Sequence, residues 1–319
     1  MNRLQRSACL AVGLLCPLTG CVTYPFHEKI EFQETAALDG VTKVLVDTRN
    51  GAIEVDGDLA ARQADIRGSK FGNGATPEAA KAYAEQIQIE VKRDPAQPGL
   101  LRIAAVFPQP DNGGASFCVT LPPTAALDLQ TRNGTVAVDG PFPDVAAHTS
   151  NGHVDVTGVT GKVNARTRNG GITIRQTHGD VDADTSNGGI TLEKVGAEHV
   201  NARSTNGAVQ AFDTRGNIVL RTSNGPIHLR AASLPEKPDV SVTTSNGRVV
   251  VELPATVSAR LRMRTSNGSV HADFPGAAAT DLETSRDDLA VTLNQGGGSV
   301  VIESSNGALR LRLVPAQTP

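Results

Sequence analysis

Ten near-copies of one polar tetrapeptide are the residues of this sequence with the greatest capacity for chemistry. Thr-Ser-Asn-Gly, or a close variant in which Arg, Thr or Ser replaces a member, recurs between Thr48 and Gly307. Hydroxyl and carboxamide groups at regular spacing could form an array of ligand sites, a set of hairpin turns or a hydrogen-bonded structural ladder. The choice between these depends on the elements that present the tetrapeptides.

Other candidate catalytic and metal-binding residues lack the spacing that their chemistry requires. The seven histidines are scattered without a zinc-type pattern. Asp180, Asp182 and Asp184 share one strand face, but alternate strand residues lie roughly 6.8 Å apart, too far to bind one calcium ion. Cys118 has no accompanying histidine motif and is predicted to be a small buried hydrophobe. The sequence therefore predicts no catalytic residue, no metal and no cofactor.

Composition and charge exclude several classes of function. The formal net charge is −3 and the basic residues are dispersed, so the chain has no electrostatic footprint for nucleic acid. Aromatic residues make up only 3% and tryptophan is absent, which argues against platforms that stack bases or sugars. Abundant Gly, with short runs rich in Val, Ile, Thr and Asn, is typical of an all-β protein with many turns.

The tetrapeptides mark an internal repeat of about 18 residues. Counted from one Asn to the next, the steps are 18, 18, 18, 19, 18, 22, 21 and 39 residues. The Asn residues concerned are Asn133, Asn151, Asn169, Asn187, Asn206, Asn224, Asn246, Asn267 and Asn306, with an earlier copy at Asn50. The last step is long enough to contain two repeats.

Columns aligned on each Asn indicate two short strands per repeat. Residues six and four positions before it, and three and five positions after it, are apolar in every copy, and the residue two before is Thr or Ser. This period of two indicates strands with one buried face. Two folds fit the pattern. One is an antiparallel meander with Asn-Gly hairpins, closed into a barrel or propeller, and the other is a parallel β-solenoid.

The polar columns favour the solenoid. Two of them alternate in sign from repeat to repeat: Arg166, Asp184, Arg203 and Lys162, Asp180, His199. Coils stacked in register would make these charges neighbours, at a gain of roughly 0.2–1 kcal/mol per pair. We therefore predict an all-β fold, a parallel β-solenoid (β-helix) with about 18-residue coils and a short helical insert near the N-terminus. Each tetrapeptide is then a corner, with Asn tolerating left-handed backbone, Gly avoiding a Cβ clash and the Asn amides stacked in a ladder.

The first twenty residues are typical of a targeting segment. A positively charged start and a short apolar stretch precede Leu18-Thr19-Gly20-Cys21, which resembles a bacterial lipobox. Residues 1–20 are interpreted as a lipoprotein signal peptide, with lipidation (palmitate) at Cys21; an ordinary secretory signal is the alternative. Val22, rather than Asp, follows the cysteine, which favours the outer membrane of a Gram-negative cell.

The rest of the chain divides into three predicted segments. Residues 21–40 are a polar tether, residues 41–130 contain the N-terminal strands and the helical cap, and residues 131–315 are the repetitive coils. Thr76 followed by Pro77 is typical of a helix N-terminus. We expect this helix to cover the N-terminal end of the solenoid, where unpaired strand edges need protection.

The ordered set of motifs resembles a known bacterial family. "VDTRNGAIEVDG", the insert "TPEAAKAYAEQI", the serial "TSNG" coils and "NQGGGSVVIESSNGALRLRL" are similar to a domain of unknown function with β-strand repeats that is labelled "putative adhesin". The resemblance covers Val41 to Leu313. It implies a parallel β-helix of cell-envelope proteins, without an established activity and without catalytic or ligand residues to transfer.

These observations predict a lipid-anchored cell-envelope protein, an outer-membrane lipoprotein facing the periplasm or the cell surface. Its solenoid is expected to act as a non-catalytic binding, adhesion-like or structural module. The expected partners are the membrane, through the N-terminal lipid, and an envelope protein or a glycan. The alternative is a carbohydrate-active β-helix enzyme, a glycosidase or lyase, for which two carboxylates converging within about 10 Å in a groove would be the signature.

Overall fold

The computed structural model describes residues 25–109 and 112–315, which are β-structure apart from turns and one helix, α1 (Pro77–Gln86). The N-terminal strands are β1 (Phe26–Ala37), β2 (Lys43–Asp47), β3 (Ile53–Gly57), β4 (Gln63–Gly74), β5 (Gln88–Arg93), β6 (Leu100–Val106) and β7 (Gly113–Leu121). The central strands are β8 (Ala126–Gln130), β9 (Val136–Asp139), β10 (Val145–His148), β11 (Val154–Thr157), β12 (Val163–Thr167), β13 (Ile172–Arg175), β14 (Val181–Thr185), β15 (Ile190–Glu193), β16 (Gly196–Ser204), β17 (Val209–Thr222), β18 (Ile227–Ser233), β19 (Asp239–Thr244) and β20 (Val249–Pro254). The last strands are β21 (Ala259–Thr265), β22 (Val270–Asp273), β23 (Ala279–Thr284), β24 (Asp288–Leu293), β25 (Gly298–Ser304) and β26 (Leu309–Val314).

Pairs of these strands form coils that stack in parallel and in register. Val163 of β12, for example, faces Val181 of β14, one repeat later. Strands that precede the Asn-Gly corner build a first face, in the order β6, β2, β8, β10, β12, β14, β16, β17, β19, β25, β21. Strands that follow the corner build a second face, in the order β7, β3, β9, β11, β13, β15, β17, β18, β20, β26, β22. The long strand β17 contributes its first part to the second face and its last part to the first. The predicted parallel β-solenoid is confirmed, and the antiparallel meander is wrong.

The hydrophobic core lies between the two faces and continues along the whole stack. Val163 and Ala165 of the first face meet Ile172 and Ile174 of the second, and all four are at most 1% exposed. Burying one Val or Ile side chain contributes about 1.5–3 kcal/mol. Because the same apolar columns recur in every coil, each coil covers the core of its neighbour, and the fold has the one-dimensional character of a repeat protein.

Chain order and stacking order differ at both ends of the solenoid. The coil β2–β3 lies between the later coils β6–β7 and β8–β9. At the other end, the last coil of the chain, β25–β26, lies between β19–β20 and β21–β22. The 39-residue step therefore does not hold two stacked repeats, because the chain between β22 and β25 forms the antiparallel strands β23 and β24.

Antiparallel strands and α1 complete the N-terminal end. Here β5 pairs with β6, β4 pairs with β7, and β1 pairs with β4. The helix packs against β4 and β1, and Thr76 Oγ1 caps it by accepting a hydrogen bond from the Ala79 backbone N–H at 3.2 Å. A Cβ on Gly72 would lie 2.2 Å from the Ala80 carbonyl oxygen, so glycine lets the helix approach the strand. The predicted helix is present at the predicted end.

The segment predicted as a tether is in large part a strand. Phe26–Ala37 forms β1 and pairs with β4 along its whole length. Phe32 packs against the core, with its ring 5.6 Å from that of Phe117 in an edge-to-face arrangement. The tether interpretation of residues 21–40 is therefore wrong for β1, because the polar residues that suggested a linker lie on the solvent face of an edge strand. Cys21 lies outside the described residues.

Candidate functional site

The repeated Asn side chains form one continuous hydrogen-bonded ladder. At each step the Nδ2 amide of one Asn donates to Oδ1 of the Asn in the preceding coil, at 2.6–2.9 Å. The order along the stack is Asn50, Asn133, Asn151, Asn169, Asn187, Asn206, Asn224, Asn246, Asn306, Asn267. The carboxamides therefore bind one another, which is the predicted structural ladder rather than an array of ligand sites.

The Thr and Gly of each tetrapeptide complete the corner. Thr185 Oγ1 donates to the carbonyl oxygen of Gly170 in the preceding coil at 2.8 Å. An equivalent hydroxyl-to-glycine bond recurs at eight of the other nine repeat corners, and the Thr48 hydroxyl donates to the Ala115 carbonyl oxygen instead. A Cβ on Gly188 would lie 1.9 Å from that same Gly170 oxygen. Glycine is thus required by the close approach of consecutive coils.

Left-handed backbone occurs at the opposite corner of the coil. Gln176, Lys194 and Asp213 have φ values of 53°, 55° and 54°, and Gly158 occupies the equivalent place one coil earlier with φ 82°. The ladder asparagines are not among the residues with positive φ in the described part of the chain. The prediction that Asn adopts this conformation is wrong, since steric contact between coils, and not a left-handed turn, sets the Asn-Gly corner.

Replacing Asn187 by Ala is expected to lower the free energy of unfolding by about 1–2 kcal/mol, because a net hydrogen bond contributes about 1 kcal/mol. Asn187 donates to Asn169 and accepts from Asn206, both at 2.8 Å. Urea denaturation measures the change. Asn267→Ala is the matched control, because Asn267 ends the ladder and makes only one of these bonds. Equal losses in the two variants would contradict a ladder that stabilises each coil from both sides.

The predicted charge columns are in register, but the ion pairs differ from those expected. Arg166 faces Asp184 on adjacent strands, yet its Nη2 pairs with Asp182 Oδ2 at 3.5 Å. In the other column, Asp180 Oδ1 accepts a hydrogen bond from the His199 backbone N–H at 2.9 Å. Exposed ion pairs contribute at most about 1 kcal/mol, so these columns support stacking without dominating its energy.

Cys118 lies on the outer surface of the solenoid. Phe117 and Val119, its neighbours in β7, point into the core, which leaves Cys118 half-buried opposite Glu54. Partial burial, and then the carboxylates of Asp56 and Glu54, raise the pKa of the thiol, so the reactive thiolate is disfavoured. The prediction of a buried hydrophobe is wrong, because inward and outward positions alternate along the strand.

A depression on the first face, beside the Asn-Gly corner near the N-terminal end, is the strongest candidate site. Its volume is about 330 Å³, and its lining residues are Asp47, Thr48, Arg49, Ala105, Phe107, Gln130, Thr131, Arg132 and Ser150. Asp47 and Gln130 are register neighbours on β2 and β8. Arg49, Arg132 and Ser150 directly precede the ladder Asn of three consecutive coils. The sequence did not predict this depression, because its walls come from segments that only the inverted coil order brings together.

The depression, called here the Asp47 depression, combines one acidic group with several basic ones. Burial raises the pKa of Asp47, although the nearby charges of Arg102 and Arg49 oppose this. Arg102 Nη2 lies 3.5 Å from Asp47 Oδ2. On the adjacent wall, the Arg49 guanidinium carbon lies 5.9 Å from the centre of the Phe107 ring, within cation–π range. The carboxylate is therefore held where its ionised form is not favoured.

Asp47→Asn is expected to raise stability at neutral pH. The folded-state pKa lies above the ordinary value of 3.8, so between these two values the native state binds more protons than the unfolded state. Stability therefore falls as pH rises through that window and stays reduced above it. The amide removes the loss, with a gain of less than about 1 kcal/mol, because 43% of the side chain is exposed.

Thermal denaturation of Asp47→Asn at pH 7 and at pH 3.5 measures this effect, and Asp128→Asn is the control of opposite sign. Burial acts to raise the pKa of Asp128, but hydrogen bonds from Lys43 and Gln130 outweigh it, and the pKa is lowered. The stabilising effect of that carboxylate is present at neutral pH and is lost as pH falls through its folded-state pKa. Asp128→Asn should therefore destabilise at pH 7. A destabilised Asp47→Asn protein would contradict the assignment.

A family model described as Toastrack DUF4097 matches residues 60–312. The chain belongs to this family. Three solved structures are similar to it at low identity. A "putative cell adhesion protein" of Clostridium sporogenes is 11% identical, with 90% of this chain and 100% of that chain covered and a TM-score of 0.23. A "putative adhesin" of Bacteroides fragilis (11% identical, TM-score 0.29) and one of Parabacteroides distasonis (10% identical, TM-score 0.34) each cover 89% of this chain and 97% of their own. Similarity at this level carries no argument about function. Among curated proteins none matches this chain.

The carboxylate pair that lines a depression on the second face of the Toastrack coils does not have the arrangement of a glycosidase site. Glu252 and Asp273 line a depression of about 260 Å³ on the second face, but the register places Arg312 between them, where a water or a glycosidic oxygen would have to lie. The Asp47 depression contains a single carboxylate. Within residues 25–109 and 112–315 no group of three or more His, Cys, Asp or Glu could hold a metal ion, and no helix is long and apolar enough to span a membrane.

Proposed function

We propose that this Toastrack chain is a lipid-anchored cell-envelope module whose solenoid binds a partner through its outward faces and catalyses no reaction. The observation that carries the proposal is that the columns of the repeat have two separate roles: the corner columns hold the coils together, and the outward columns face solvent. The Thr, Asn and Gly of each corner bind the next coil, as in Thr185 to Gly170 and Asn187 to Asn169. The outward columns vary from coil to coil, so they are free to present a surface specific to one partner.

A rigid, repetitive scaffold suits recognition more than catalysis. Its outward side chains stand on a regular lattice of strands about 4.8 Å apart. A partner that contacts several neighbouring coils would bind with a higher overall affinity than any single contact provides, because each further contact forms at a high effective concentration. The module is adhesion-like in this sense.

The lipid anchor is a part of the proposal that rests on the lipobox-like Leu18-Thr19-Gly20-Cys21. Phe26 opens β1 only five residues after Cys21, and an extended chain spans about 3.3–3.6 Å per residue. A lipid on Cys21 would thus hold the N-terminal end of the solenoid within about 18 Å of the bilayer. We place the protein at the outer membrane, facing the periplasm or the cell surface.

Membrane fractionation tests the anchor. Cys21→Ser is expected to move the protein from the membrane fraction to the soluble fraction, whereas the control Cys118→Ser is expected to leave it in place, because Cys118 lies on the solenoid. An unchanged distribution of Cys21→Ser would refute the anchor.

Crosslinking in cells, followed by purification of the chain from envelope extract, tests the binding function. We expect one protein or glycan to be recovered reproducibly with the intact chain. Recovery of no specific molecule would count against a binding module. The same holds if replacing the outward charged side chains by neutral ones does not change the amount of partner recovered.

A further inference from the structure

We propose that the Asp47 depression and the arginines beside it form a binding site for an acidic sugar chain, that is, a polysaccharide whose residues carry carboxylates. This inference rests on the proposed binding function and names its ligand class. Three groups of side chains carry it: cations without a protein partner, uncharged and acidic groups that recognise hydroxyls, and an aromatic wall.

The cations lie along one line beside the corner ladder. Arg132 and Arg168 occupy the position before the ladder Asn, two coils apart, which separates them by about 9.6 Å. Both side chains are exposed, and neither makes a side-chain hydrogen bond or an ion pair with another residue in the described part of the chain. A guanidinium presents paired N–H donors that match a carboxylate bidentately. The line therefore offers two anion sites at a spacing set by the coils.

The groups inside the depression suit hydroxyls more than a second anion. Asp47 accepts hydrogen bonds, and Gln130 uses its Nε2 to bind Asp128 at 2.9 Å, which leaves Oε1 as an acceptor. Ser150 adds a hydroxyl at the rim. A bare phosphate or sulfate would be repelled by Asp47 and would find no use for the Gln130 oxygen. A few convergent polar groups of this kind give a ligand site its specificity.

Phe107 supplies the apolar wall. It packs against the core from one side and lines the depression on the other, with the Arg49 guanidinium 5.9 Å from its ring centre. The C–H groups of a sugar ring could rest against the part of the Phe107 ring that Arg49 leaves uncovered, while the sugar carboxylate reaches Arg132. The wall thus distinguishes a sugar acid from a small inorganic anion.

Two titratable groups fit this assignment. Asp47 occupies a place where burial raises the pKa of its carboxyl, a feature that is more common at binding sites than in a purely structural surface. His148 follows Gln130 in the next coil, and burial, with the charge of Arg166, lowers its pKa. The lowered pKa favours the neutral ring, so His148, which neighbours Gln130 in register but does not line the depression, adds little positive charge there.

Isothermal titration of the full chain with polygalacturonate tests the proposal, with amylose as a neutral sugar and dextran sulfate as a charge-only polymer. Polygalacturonate should bind, and amylose should not. Arg132→Gln should raise the Kd for polygalacturonate about tenfold, as the loss of one charge-assisted hydrogen-bond pair predicts. The control Arg221→Gln removes the same charge from the first face five coils away, about 24 Å along the stack, and should change the Kd by less than about twofold.

Gln130→Ala separates sugar recognition from simple charge attraction. It should weaken polygalacturonate and leave dextran sulfate unchanged, and circular dichroism of each variant confirms that the fold is intact. Failure of the wild-type chain to bind polygalacturonate would overturn this inference alone, since a partner recovered from envelope extract would still support the binding function. Equal losses for Arg132→Gln and Arg221→Gln, or parallel losses for both polymers in Gln130→Ala, would also overturn it, because binding would then be non-specific.

Discussion

Gly188→Ala is expected to lower the free energy of unfolding by about 3 kcal/mol or more, at or above the upper end of the range for overpacked interiors. The added Cβ would lie 1.9 Å from the Gly170 carbonyl oxygen and 2.4 Å from its carbon. Both atoms belong to backbone that also binds the Thr185 hydroxyl at 2.8 Å. Neither the coil above nor the coil below can move away without breaking the ladder.

The adjacent glycine provides a matched control for this prediction. A Cβ on Gly189 would meet only the Ala208 carbonyl oxygen, at 3.3 Å. Gly189→Ala is therefore expected to change stability by less than about 1 kcal/mol, because alanine also restricts the unfolded chain. Urea denaturation of both variants decides the matter. Similar midpoints would show that the corner is not set by contact between coils.

Ile302→Ala is expected to lower the free energy of unfolding by about 3 kcal/mol, although Ile302 belongs to the last coil of the chain. Its side chain is fully buried, and its strand lies between β19 and β21, where Val242 and Met263 face it in register. A coil at the end of the stack would have one partner, whereas this one has two. Truncation therefore leaves a cavity lined from both sides.

Leu282→Ala removes the same number of carbon atoms from β23 and serves as the control. Leu282 is 54% exposed on the antiparallel strand that ends the C-terminal side, so its substitution is expected to stay within about 0.5 kcal/mol. Thermal and urea unfolding measure both variants. A small effect at Ile302 would contradict the insertion of the last coil into the stack.

These two predictions concern the scaffold, and the binding proposal depends on it. The inverted coil order at the N-terminal end brings β6, β2 and β8 side by side, which places Phe107 beside Asp47 and Gln130. Because the inserted coil is held by hydrogen bonds on both edges, the depression has a rigid floor. A rigid site loses little conformational entropy on binding, which favours recognition of an extended chain.

The regular part of this fold could be predicted from residue spacing. Inward columns such as Val163 and Val181 recur at the repeat period, and only parallel stacking makes them neighbours. The Asn ladder follows from the same alignment. The candidate site could not be predicted in this way, because Phe107 lies in a segment without the repeat and Asp47 meets Gln130 across an interval of 83 residues.

The amino-acid sequence by itself determined the unit of this protein: an 18-residue coil with two strands, one buried face each, and a corner of Thr, Asn and Gly. The alternation of apolar and polar residues and the requirement for glycine at the corner are both encoded within each repeat, so no distant residue is needed to specify them. The tertiary structure alone decided the order of the coils at the two ends, the use of β1 as an edge strand and the position of the Asp47 depression. Those features depend on which strand edges pair with each other. Because the repeats are nearly identical, many pairings are locally possible, and only the packing of the complete fold selects one of them.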